Sequence, residues 1–287
     1  MTDPGSIPLR PLTVGDLFGV GLRVVRRHIA LLGPIAIIIA VVSAAVELVI
    51  LSNTGTIQAV ATGTWLDDLS KALTSGSTAG IPTGIYLSTL ASTFVTLAGA
   101  LFLSAVVAAC VSVDAVGPAP VGGGRVATVS DRLRGRIGPA AIVSVITAIA
   151  ILAGSFLLIV PGVLAYTVWA AAAPVAVMEG ASPAVAFARS ARLTRGHRMR
   201  ILGVTLLIVI IVVVIEAVIS AVVVALIPSL SPVAVLVVGD IVTALVSAVT
   251  MSWVGAVIAL LYVDIRLRTE NLGATLRAYA QQPPQQY

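Results

Sequence analysis

The stretch Val160–Arg200 reads VPGVLAYTVWAAAAPVAVMEGASPAVAFARSARLTRGHRMR. An apolar run opens at Pro161-Gly162, which predicts a tight turn, and ends at Met178. Glu179-Gly180 breaks the run. Ser182-Pro183 then predicts a helix start, because Ser suits an N-cap and Pro suits the first helical position. That helix carries Arg189, Arg192 and Arg195 at i, i+3 spacing. Beyond Gly196 a second apolar run begins. Forty-odd residues thus hold a membrane span, a cationic surface helix and the start of another span. Pro174 should kink the first of these spans, since proline removes a backbone donor and crowds the preceding turn.

The rest of the chain repeats this grammar. Of its residues, 59% are hydrophobic and 10% charged, with a mean hydropathy of +1.11. A soluble domain carries roughly 25% charged residues. Apolar runs at 29–51, 85–113, 137–160, 161–178, 201–227 and 233–263 are near or beyond the roughly 20 residues that cross a bilayer. The expected fold is therefore an all-α membrane protein with about six transmembrane helices. Some 28 residues precede the first run, too many and too basic for an ordinary cleaved signal, so that run reads as a retained anchor.

Three stretches read as amphipathic helices lying on the membrane. Thr13–His28 has Thr13 and Asp16 in capping-box spacing and an apolar face of Phe18, Gly21, Leu22 and Val25. Thr128–Arg136 starts with a similar Thr-x-x-Asp, and 183–195 is the cationic helix above. The loop 52–84 holds a short helix over 65–73, with Trp65 as an interfacial anchor. Gly117–Gly124 reads as a linker, and the Gln/Pro-rich end as disordered.

Charge then orients the chain. Of 17 Lys and Arg residues, all except Lys71 fall on one side of a six-span topology, which leaves 16 together. The positive-inside rule puts that side, and both termini, in the cytoplasm of a plasma-membrane protein. The resulting organisation is a cytoplasmic arm (1–12), one polytopic domain (13–265) and a cytoplasmic tail (266–287).

The chain also matches itself. Arg23-x-x-Arg26-x-His28 recurs as Arg192-x-x-Arg195-x-His197, an offset of 169 residues. At the same offset Phe18 matches Phe187 and Glu47 matches Glu216. Val113-Asp114 and Val263-Asp264 both close spans. These matches predict three parallel units, each an interfacial helix followed by two spans, over 13–116, 125–180 and 182–265.

Glu47, Glu216 and Asp240 fall inside predicted spans. A charge at mid-bilayer costs at least about 2.5 kcal/mol, so such acids are expected to face a bundle interior or a water path. They are either a proton or cation site, or protonated carboxyls hydrogen-bonded between helices. Arg23, Arg26, Arg27, Arg189, Arg192 and Arg195 suit anionic lipid headgroups, because guanidinium forks match phosphate. Arg189, Arg192 and Arg195 are equally placed to pair with Glu179. No metal site or cofactor is expected: the two histidines, His28 and His197, lack ligand-spaced partners, and Cys110 is the single cysteine. Gly122–Gly124 lacks the Gly-Lys-Ser/Thr of a phosphate loop. Nucleic acid is a poor partner for charge clustered beside spans.

Pro161-Gly162-Val163-Leu164-Ala165-Tyr166, then Pro174-Val175 with Glu179-Gly180, then Arg189-Ser190 with Leu193-Thr194-Arg195-Gly196, resemble a group of largely actinobacterial integral membrane proteins. These are grouped as the glycerophosphoryl diester phosphodiesterase membrane domain and related uncharacterised families. The resemblance implies an integral membrane fold and no activity. In the enzymes of that name catalysis belongs to a separate soluble barrel, and no such region is present. His197-Arg198 is followed by Met199, not by the glycine of the catalytic motif. The expected function is a non-enzymatic scaffold or lipid-interacting component of a cell-envelope assembly, with anionic lipids and other membrane proteins as partners. The alternative is a small transporter or permease using the intramembrane carboxylates.

Overall fold

The computed structural model describes residues 10–62, 64–75, 82–116, 124–226 and 232–270. The 117–123 linker, the 227–231 loop, the chain ends, and the side chains of Trp65 and Asp240 lie outside the described residues. Among the described residues the structure contains twelve α-helices and no strand. Six segments are long and apolar enough to cross a membrane, making this a multi-pass α-helical membrane protein.

Three short helices lie at the basic end: α1 (Val14–Arg27), α6 (Gly124–Leu133) and α10 (Pro183–Leu193). Each is followed by two spans. After α1 come α2 (Ile29–Asn53) and α5 (Thr83–Val116), separated by the loop helices α3 (Ile57–Thr62) and α4 (Thr64–Ser75). After α6 comes α7 (Ile137–Leu157), then a broken span made of α8 (Ile159–Trp169) and α9 (Ala172–Met178). After α10 come α11 (Arg198–Leu226) and α12 (Pro232–Thr269).

Local chemistry sets these boundaries. Thr13 accepts from the Asp16 amide while Asp16 accepts from the Thr13 amide, so the expected capping box closes α1. Hydrogen bonds to the carboxyl from the Thr13 backbone amide and, second, from the Thr13 side chain hold the Asp16 pKa below its ordinary range against an opposing effect of burial. Gly135 and Gly196 turn the chain from α6 and α10 into the spans at φ 72° and 87°, where a side chain would be strained.

One turn falls elsewhere than expected, and the kink expected from Pro174 is present in the turn before it. The reversal between α7 and α8 is at extended Leu158, and Pro161-Gly162 lie inside the first turn of α8. The fourth span breaks at Ala170-Ala171, and Pro174 lies in the first turn of α9. The cause is the same in both places: proline cannot donate to the carbonyl four residues back, so the helix interruption precedes it by about one turn.

The second span of each unit is central and the first is peripheral. The apolar windows of α5, α8–α9 and α12 are each 56% buried, against 17% for α2 and α11 and 28% for α7. Small residues line the central contacts: Ala105, Ala108 and Ala109 of α5, Ala172, Ala173 and Ala176 of α9, and Ala256 and Ala259 of α12. Without a hydrophobic drive between helices in lipid, close backbone approach supplies the attraction. Gly255 lies so near Ser104 that a Cβ there would sit 3.1 Å from the Ser104 amide nitrogen.

The basic-end helices dock in cyclic order, each on the second span of the unit before it. Phe18 of α1 packs against Trp253 of α12 at 5.2 Å, and Phe187 of α10 packs against Trp169 of α8 at 5.3 Å. Ser190 of α10 donates to the Val168 carbonyl (2.8 Å). On α6, Arg132 reaches Ser112 of α5 (3.5 Å). Phe18 and Phe187, equivalent at the 169-residue offset, thus make equivalent contacts, and α1 closes the ring on α12.

Candidate functional site

The central spans of the three units end in Asp114, Glu179 and Asp264, and each carboxylate is held by basic side chains. Asp264 is fully buried. It accepts from the Leu12 amide (2.7 Å), from Arg200 Nε (2.9 Å) and from Arg268 Nε (3.0 Å). The same two guanidinium groups donate to the Leu12 carbonyl, at 2.7 and 3.2 Å. One peptide of the N-terminal arm is therefore clasped from both sides. Such complete pairing offsets the cost of burying the Asp264 carboxylate.

Glu179 anchors a second cluster. It accepts from Tyr262 Oη (2.9 Å) and from Arg189 Nε (3.1 Å), with Arg266 at 3.8 Å. Arg189 and Arg266 also bind Glu270, Arg266 through its Nε at 2.8 Å. Burial alone would raise the Glu270 pKa, but the hydrogen bonds from Arg266 and Arg189 outweigh it and hold the carboxyl below its ordinary range. Burial likewise opposes the charge of Arg189, and its bonds to Glu179 and Glu270 reverse that, so its pKa is raised. At the third end, buried His28 lies 3.3 Å from Asp114, and Arg27 lies 3.9 Å from it.

The candidate arginines accordingly divide. Arg189 is committed to Glu179 and Glu270, which settles its two sequence readings in favour of pairing. Arg27 leans towards Asp114. Arg23, Arg26, Arg192 and Arg195 are exposed on the outward sides of α1 and α10 or just after α10. Sequence reasoning did not nominate Arg200, Arg266, Arg268, Tyr262 or Glu270. The usable signal was the closing pattern of the last span, where Asp264–Arg268 and Arg266–Glu270 stand at i, i+4.

The intramembrane acids do not behave as expected. Glu47 and Glu216 are exposed on the peripheral spans α2 and α11 and do not face the bundle interior. Each lies 18 residues beyond the start of its helix (29 to 47 and 198 to 216), or about 27 Å at 1.5 Å per residue. Asp240 lies on α12, with its side chain outside the described residues.

Chemically, the basic end is an electrostatic clamp. Its acids are engaged by Arg, Tyr, His or backbone donors. Among the described residues no three His, Cys, Asp or Glu side chains converge as metal ligands, and Cys110 is buried in α5. No family model, curated protein or solved structure matches the chain.

Proposed function

We propose that the chain is a non-catalytic plasma-membrane protein with both termini in the cytoplasm. It binds anionic lipid on its basic face and serves as a scaffold or lipid-interacting component of a cell-envelope assembly. The observation that carries this reading is the division of labour among the arginines. Arg189, Arg200, Arg266 and Arg268 are spent on internal carboxylates, whereas Arg23, Arg26, Arg192 and Arg195 are exposed on interfacial helices. Arginines that stay outside the internal clamp are free to serve a surface role, and an anionic leaflet supplies the matching charge. The outward exposure of Glu216 on a peripheral span supports membership of an assembly. It weakens the transporter reading, which needs the acids gathered along an inner path.

Two measurements test this. Converting Arg23, Arg26, Arg192 and Arg195 together to Gln is expected to deplete co-purified phosphatidylglycerol and cardiolipin, since each surface arginine contributes about 1 kcal/mol at an anionic surface. Unchanged lipid content in a normally folded variant refutes lipid binding by these residues. Orientation is tested by single cysteines in a Cys110→Ala background. A cysteine at exposed Ser75 should label only from outside, and cysteines at exposed Ala127 and Ala188 only from inside. Labelling of position 188 from outside would overturn the cytoplasmic placement of the basic face.

A further inference from the structure

Between α1, α11 and α12 lies a groove of about 420 Å³, within the roughly 300–1,000 Å³ range of ligand pockets. Its walls are Phe18, Gly19 and Leu22 of α1, Ile211 and Ile215 of α11, and Trp253 of α12. The groove exists because one docking contact of the ring is incomplete. Helix α10 closes on both spans of the unit before it, α7 as well as α8 and α9, whereas α1 docks on α12 and makes no comparable contact with α11.

We propose that this groove seats one acyl chain of an anionic phospholipid, with the lipid phosphate held by Arg23 and Arg26. The inference rests on the anionic-lipid reading above and assigns it a site. Four observations carry it. The lining is apolar except for Thr250, so water would find almost no partners there. Leu22 and Ile215 are 49% and 37% exposed, so the groove opens on the outside of the bundle, where a bilayer offers hydrocarbon chains.

The rim is cationic. A Cβ built on Gly19 would lie 3.8 Å from Arg23 Nη1, so that guanidinium already leans over the groove. Arg26 follows Leu22 at i+4 on the same stripe of α1. Neither arginine forms a salt bridge within 4.0 Å among the described residues, although the Arg23 charge is felt by Asp16 in the first turn of α1. A lipid chain gains little by leaving other lipid chains for an apolar groove, so selectivity must come from these two charges.

The fourth observation is Gly19 itself. Glycine is unfavourable in a helix interior. At Gly21 packing accounts for it, because a Cβ would lie 3.4 Å from Val257. At Gly19 a Cβ would meet no neighbour except Arg23, so what the missing side chain leaves is space in the groove. The opposite wall is fixed, since Trp253 Nε1 donates to the Phe18 carbonyl (3.3 Å).

The test uses the full chain in phosphatidylcholine nanodiscs containing a low fraction of phosphatidylglycerol with a photoreactive diazirine in its acyl chain. Adducts are expected on the peptides holding Phe18–Leu22 and Trp253. Arg23→Gln with Arg26→Gln should weaken apparent phosphatidylglycerol affinity there roughly 30-fold (about 2 kcal/mol at 1.4 kcal/mol per tenfold). Arg-to-Lys versions should retain most of it. Gly19→Leu should fill the groove and abolish the adduct, and Gly19→Ala should reduce it less, both with unfolding temperatures at or above the wild-type value.

Equal labelling by a phosphatidylcholine probe overturns the cationic rim. Phosphatidylglycerol adducts confined to the Arg192 and Arg195 region overturn the groove while leaving the anionic-lipid reading standing. A co-purified protein segment crosslinked in the groove in place of lipid also overturns the proposal.

Discussion

Replacing Asp264 by Ala is expected to destabilise the protein by about 3–5 kcal/mol, the usual penalty for removing one partner of a buried ionic cluster. The change strands three donors at once. The Leu12 amide, Arg200 Nε and Arg268 Nε all point at this carboxylate. Arg200 and Arg268 would remain partly desolvated, held by the Leu12 carbonyl alone. The N-terminal arm should detach first, because Leu12, at 1% exposure, loses the acceptor that holds its amide. Proteinase K cleavage around exposed Arg10 should accelerate in detergent, together with a lower unfolding midpoint. Asp264→Asn keeps an acceptor without the charge and should fall between Ala and wild type. An Ala variant within about 0.5 kcal/mol of wild type, as expected of an unimportant surface position, would show that the clasp does not hold the fold.

Alanine at Gly154 or Gly162 should be nearly as damaging, for a steric reason. These residues face each other across the α7–α8 hairpin. A Cβ on Gly154 would lie 2.8 Å from the Gly162 amide nitrogen, and one on Gly162 would lie 2.7 Å from the Ser155 amide nitrogen. Both obstacles are backbone and cannot swing aside. The hairpin must open, and overpacking of this kind costs about 1–3 kcal/mol. The double variant should cost less than the sum, because a single opening relieves both clashes. Gly203→Ala is the control, as nothing lies within 4 Å of its added Cβ. Unfolding midpoints in one detergent decide the matter. Equal midpoints for Gly154→Ala and Gly203→Ala would mean that the helices need no such close approach.

The turns at 158 and 170–171 show where sequence periodicity loses resolution. Proline and glycine at 161–162 and proline at 174 announce an interruption. Which residue breaks depends on the carbonyl that loses its donor, about a turn earlier, and on what packs against the hairpin. Arg189 illustrates a related ambiguity. Its spacing on α10 suits lipid or Glu179 equally, and only the approach of the α12 terminus, carrying Arg266 and Glu270, commits it to the internal cluster.

By itself the sequence determined the all-helical membrane fold, the six spans and the three surface helices. Hydrophobic runs, caps and basic clusters act over one or two turns, and such local terms are written directly in the order of residues. The internal match of Phe18 with Phe187 also marked two residues that go on to make equivalent aromatic contacts. Only the tertiary structure decided the rest: the central position of each second span, the ring in which α1 closes on α12, and the outward turn of Glu47 and Glu216. In a bilayer nearly every face of such a span is apolar, so hydropathy cannot say which face meets protein and which meets lipid. That choice belongs to small-residue packing, to the Arg200–Asp264 ion pair and to the hydrogen bonds of both with the Leu12 backbone, groups separated by up to 252 residues.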